Sequence, residues 1–155
     1  MKKLKRLIVF CLSVMMFSSV GISSAGAANI KPIEQGILYF EDGSYLTIDV
    51  IEFDSVLTRG TSVVSGKKIG TYSNNSGETL WTITVNGKFT YNGLSATAID
   101  ASYSYQIYDS AWSLKSANAY CSGNRAIAEG TFHGGFLLNR DITVTLTCSP
   151  DGKLS

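Results

Sequence analysis

Histidine, proline and cysteine are scarce in this 155-residue chain, which has one His, two Pro and three Cys. Two thiols and one distant imidazole do not make a metal-ligand set, so no metal site is expected. His133 would have to serve as the base of any Ser-His-Asp or Cys-His mechanism. No nucleophile is marked for it, because the chain has no G-x-S-x-G elbow. A histidine followed by Gly134 and Gly135 reads more simply as a turn residue. No catalytic residue and no cofactor is therefore assigned. Charge is sparse too, at 16% of residues, with no Lys/Arg stripe. Nucleic acid and anionic membranes both need clustered positive charge, and its lack argues against both as partners. Long apolar runs are missing everywhere except near the start.

That exception is informative. Lys2, Lys3, Lys5 and Arg6 precede an apolar run from Leu7 to Ile22, and Ala25-Gly26-Ala27 closes it with small side chains. This is the build of a secretory signal peptide, with cleavage expected after Ala27. The run is interrupted by Ser13, Ser18 and Ser19 and falls short of the roughly 20 apolar residues of a spanning helix. No membrane span is expected in the mature chain. Removing four basic residues leaves nine Lys and Arg against twelve Asp and Glu, so the mature product is mildly acidic. The expected organisation is a signal peptide over 1–27, a lead-in over 28–36 and one domain over 37–155.

Within that domain the apolar period is two, not 3.6, and Gly, Ser, Thr and Tyr abound. Ile37 to Glu41 and Ser44 to Glu52 flank Asp42-Gly43, a favoured two-residue hairpin turn. In that register Tyr39 faces Leu46 and Ile37 faces Ile48. Asn86-Gly87 offers the same turn, but a hairpin there would oppose Trp81 to Asn92. A continuous strand instead puts Trp81, Ile83, Val85, Phe89 and Tyr91 on one face, with Gly87 as a bend or bulge. Ile99, Tyr103, Tyr105 and Ile107 share a phase, which places those two tyrosines in the core. A strand from Trp112 to Cys121 follows an Asp109-Ser110 turn. Ser122-Gly123-Asn124 turns into a strand around Ala126 to Phe132. The last strand alternates Ile142, Val144, Leu146 and Cys148. About eight or nine strands predict an all-β, antiparallel sandwich or barrel-like domain.

Two cysteines outlast removal of the leader, Cys121 and Cys148. In an oxidising compartment they are expected to form a disulfide. Closing a loop of about 28 residues would stabilise the fold by roughly 3.5 kcal/mol. Asp49, Glu52 and Asp54 are the densest acidic group, yet alternation sets Asp49 on the face opposite the other two and no Ca²⁺ loop pattern accompanies them. A solvated strand edge is the simpler reading. Among the aromatics, Tyr108 and Tyr120 are the candidates for facing a ligand, since flat rings on a sheet can stack on sugars.

Several stretches resemble a family of small secreted proteins of unknown function from Gram-positive, clostridia-like bacteria. They are Asp42-Gly43-Ser44-Tyr45, Asn75-Ser76-Gly77 leading to Leu80-Trp81-Thr82, and Gly87-Lys88-Phe89-Thr90-Tyr91-Asn92-Gly93. Tyr108-Asp109-Ser110 with Trp112, Ser122-Gly123-Asn124 and Thr145-Leu146-Thr147-Cys148-Ser149 complete the set. The resemblance spans nearly all of the mature chain and implies export, but it transfers no site residue.

The resulting expectation is a secreted, non-catalytic binding module for an extracellular glycan, protein or cell-envelope component. The alternatives are a small secreted hydrolase with an unidentified carboxylate pair, or a self-associating envelope protein that adds strands at a sheet edge.

Overall fold

In a computed structural model of the chain, residues 36–53, 56–57, 62–135 and 138–155 are described. The expected signal peptide and most of the lead-in fall outside the described residues, and so does Asp54. Nine strands form among those described: β1 (Gly36–Tyr39), β2 (Tyr45–Glu52), β3 (Val56–Leu57), β4 (Ser62–Ser73), β5 (Thr79–Tyr91), β6 (Ala96–Ile107), β7 (Trp112–Ser122), β8 (Arg125–Gly134) and β9 (Leu138–Thr147). They make two antiparallel sheets. The first runs β1-β2-β4-β5-β6, with β3 also paired to β4, and the second runs β7-β8-β9. The chain is an all-β sandwich. Among the described strands it passes between sheets once, over Tyr108–Ala111, where Trp112 N–H donates to Asp109 O at 3.0 Å.

β5 is continuous through Asn86-Gly87, and Trp81, Ile83, Val85 and Phe89 are all buried on its inner face. Gly87 is not a bulge. It pairs in unbroken register with Gly66 on one side and Ala101 on the other, and the irregularity lies after Lys88, where Ile99 of β6 is the extra residue. Gly87 is required for another reason. A Cβ there would lie 2.8 Å from Ala126 Cβ in the opposite sheet and 2.8 Å from the Phe89 ring, so the sheets approach through the missing side chain.

The β1–β2 hairpin forms one residue out of the expected register, with Tyr39 opposite Tyr45 and Ile37 opposite Thr47. The cause is the turn. Phe40 N–H donates to Ser44 O and Gly43 N–H to Phe40 O, and Gly43 has φ 79°, so the loop holds three residues and ends in a left-handed glycine. The β4–β5 turn uses the same pair of bonds, Asn74 N–H to Glu78 O and Gly77 N–H to Asn74 O. A third copy follows β9, with Ser149 N–H to Lys153 O and Gly152 N–H to Ser149 O.

That last hairpin caps one end of the sandwich. Cys148 bridges to Leu154, whose side chain is buried over Gly66, and Leu154 N–H donates to Glu52 Oε1 at 2.9 Å. At the other end an aromatic column joins the sheets. Trp81 stacks on Tyr72 with centroids 4.9 Å apart and on Phe132 at 3.8 Å. Arg140 of β9 fastens the same end, donating from Nε to Tyr72 Oη at 3.1 Å and pairing through Nη2 with Asp42 Oδ2 at 2.6 Å. Lys68 also lies fully buried on the inner face of β4, where it is engaged in an interaction.

Two expectations are corrected. Cys121 and Cys148 are free thiols. Cys121 is opposite Ala126 and Ala126 is opposite Leu146, so β8 lies between the two cysteine-bearing segments. Two strand spacings amount to roughly 9.5 Å, beyond the ~7 Å Cα separation a disulfide can span. Burial pushes the Cys148 thiol up to about 11. Tyr103 and Tyr105 are not core residues. They do sit on the inner side, opposite Val85 and Ile83, but remain 38% and 49% exposed. β6 is the last strand of its sheet, and the opposing sheet is only three strands wide.

Candidate functional site

The outer face of β7-β8-β9 carries an ordered array of polar side chains. Strand alternation and register fix its rows. Ser113, His133 and Asn139 form the first, Ser116, Thr131 and Asp141 the second, and Asn118, Glu129 and Thr143 the third. Tyr120 begins the fourth, beside Ile127 and Thr145. Three adjacent strands of alternating sequence deliver nine consecutive hydrogen-bonding side chains to one surface. An apolar partner face would need the opposite pattern. Lys115 keeps the outward phase of Ser113. It is the extra residue where the β7–β8 register shifts between Leu114 and Ser116, and the bulge moves Ser116 and the even positions after it onto the same face.

Two recesses open on this face. One has a volume of about 450 Å³ and is lined by Ser113, Lys115, His133 and Asn139. The other, about 330 Å³, is lined by side chains of the second and third rows, including Ser116, Asn118, Glu129, Thr131, Asp141 and Thr143.

Local hydrogen bonds hold the side chains in place. Tyr120 Oη donates to Glu129 Oε1 at 2.8 Å, and Thr131 Oγ1 donates to Asp141 Oδ1 at 2.7 Å. The bond to Glu129 favours the protonated phenol and raises the Tyr120 pKa above its ordinary value. His133 Nδ1 lies 3.0 Å from Asn139 Oδ1. An amide oxygen only accepts, so this contact puts the proton on Nδ1 and leaves Nε2 and the Asn139 NH₂ for a ligand. Each carboxylate likewise keeps an oxygen beyond the one already bonded. The array can therefore donate and accept along its whole length.

Glu129 and Asp141 bring two carboxylates into one recess. They are diagonal neighbours on a single sheet face, roughly 7 Å apart at Cβ. A glycosidase pair flanks the scissile bond from two sides. These two rise from one floor and each already accepts a hydroxyl proton, an arrangement suited to holding hydroxyl groups.

The residues singled out from sequence are dispersed. Tyr120 belongs to the array. Tyr108 does not: it is 55% exposed at the sheet-to-sheet corner, bonded to Gln106 Oε1 at 3.1 Å. Eight residues of β7 separate Trp112, beside that corner, from Tyr120, or about 27 Å of strand. The two tyrosines cannot share a small ligand. His133 is a strand residue of β8, not a turn residue, and it lines the larger recess. Glu52 is tied to the C-terminal cap, Asp49 is exposed beside it in β2, and no cluster of three potential metal ligands occurs among the described residues.

These features define a class: a two-sheet β-sandwich with a polar, recessed face on its narrower sheet. No known protein family, characterised protein or solved structure gives a match to this chain.

Proposed function

We propose that this protein is an exported, non-catalytic module that binds saccharide through the outer face of β7-β8-β9. The observation that carries the reading is the array itself. Carboxylate, amide and hydroxyl groups alternate over three rows, their geometry set by register and by the Tyr120–Glu129, Thr131–Asp141 and His133–Asn139 bonds. Sugars present the complementary surface, a dense set of hydroxyls that donate and accept together, and Tyr120 adds a ring for stacking. The signal-like leader and the mildly acidic mature composition agree with work outside the cell.

The test is a screen of the purified protein on a glycan array, followed by calorimetry on the best neutral oligosaccharide. Asn118→Ala and Tyr120→Ala are expected to weaken binding at least about tenfold without altering the melting temperature, and the ligand is expected to be recovered uncleaved. A blank array, or hits indifferent to both substitutions, sinks the proposal.

One observation favours a second reading, self-association. β6 is a 12-residue edge strand whose only charge is Asp100, and Tyr103 and Tyr105 are exposed along it. Sedimentation showing a monomer at about 100 μM would remove that reading.

A further inference from the structure

The array is not electrically uniform, and its asymmetry narrows the ligand. Resting on the saccharide reading above, we propose that the 450 Å³ recess is an anion subsite that takes a monoanionic group carried by the sugar chain. Lys115 is the only lysine or arginine lining it, in the outward phase of Ser113, and the Ser113 hydroxyl and the Asn139 NH₂ supply donors beside it, while His133 Nε2 offers an acceptor. Among the described residues the ion pair is Arg140–Asp42, so the Lys115 ammonium makes none there.

The neighbouring recess has the opposite character. Glu129 and Asp141 line it, each holding a hydroxyl proton donor from within the protein, Tyr120 and Thr131 respectively. Asp141 lies one row away from the proposed subsite on β9, and its bond to Thr131 directs one oxygen back into its own row. Successive rows therefore offer a cation with donors and then anions with acceptor capacity. A neutral, uniform glycan uses only half of this pattern. A sugar bearing a carboxylate or phosphodiester, followed by a unit rich in free hydroxyls, uses all of it. A single lysine matches a single negative charge, and a charge-assisted hydrogen bond is about twice as strong as a neutral one.

The experiment compares three probes on the full protein at low salt: an oligogalacturonate, the same oligomer as its neutral methyl ester, and an oligo(glycerol phosphate). At least one anionic probe is expected to bind about tenfold or more tightly than the ester, with the preference shrinking as salt is added. The two anionic arms tell carboxylate from phosphodiester. Lys115→Gln should abolish the preference, read as the ratio of the anionic probe's affinity to the ester's, with the melting temperature unchanged. Lys88→Gln, on an exposed lysine of the first sheet, should leave the preference intact. Equal affinity for the oligogalacturonate and its ester, with no glycerol phosphate binding, overturns the subsite. So does a preference that survives Lys115→Gln. Failure of all three probes and of every neutral glycan on the array would instead overturn the saccharide reading beneath it.

Discussion

Leu154 is 4% exposed, and its burial predicts a large effect from a small truncation of its side chain. Leu154→Ala deletes three buried carbons. At about 0.8 kcal/mol each, the transfer loss is roughly 2.4 kcal/mol. A cavity contribution adds to this and relaxation of the end subtracts from it, so about 2–3 kcal/mol is expected, or a fall in melting temperature of about 10 °C. Gly66 provides the internal control. An added Cβ there would sit 2.3 Å from Leu154 Cδ1 and 3.0 Å from Ile51 O. Gly66→Ala alone is an overpacking change costing about 1–3 kcal/mol. In the Leu154→Ala background the closer obstacle is gone. The double variant should therefore be more stable than the sum of the single effects predicts, by at least about 1 kcal/mol. Urea denaturation of the four proteins measures this cycle. Additivity within about 0.5 kcal/mol, the behaviour of independent sites, would refute the packing of Leu154 on Gly66.

Two other outcomes follow from the polar contacts and the thiols. The hydroxyl of Ser44 and, to a lesser degree, the Arg140 guanidinium hold the Asp42 carboxyl below its ordinary 3.8. Its contribution is therefore complete above that pH and is lost as pH falls through the lowered value, so Asp42→Asn should flatten the acid limb of a stability–pH curve below about pH 4 and cost up to about 1 kcal/mol at neutrality. Alkylation of the native protein at pH 8, mapped by peptide mass spectrometry, should label the exposed Cys121 and spare the buried Cys148. Prompt labelling of Cys148, or a Cys121–Cys148 linked peptide, would contradict the strand order β7-β8-β9.

Legibility in the sequence followed the range of the interactions involved. The two-residue period exposed the strands, and the clash of Trp81 with Asn92 was enough to choose a continuous β5 over a hairpin. The β1–β2 register slipped because Asp42-Gly43 serves a three-residue as well as a two-residue loop. The bonds of Phe40 that separate these cases are tertiary facts. Tyr103 and Tyr105 have the phase of core residues, but phase cannot reveal how many strands face them from the other sheet. The expected disulfide failed for a related reason, since counting thiols ignores what lies between them. The candidate site was the least visible. Ser116, Thr131 and Asp141 each look like an ordinary solvated strand position, and only the register makes them a row. The available signal was three successive strands whose outward phase is almost free of apolar residues.

The single passage between sheets at Tyr108–Ala111 has a consequence for how the molecule assembles. Apart from the step from β2 to β4, every strand pairs with its neighbour in sequence, so each sheet can zip up from its own local turns before the other exists. Docking the two finished halves is then the step that closes the search. The residues that recognise one another in it are those that cross the gap, among them Trp81 with Phe132, Gly87 with Ala126, and Tyr72 with Arg140. Substitutions at these positions should slow folding through the final encounter, whereas changes within either meander alter only the stability of a partner already formed.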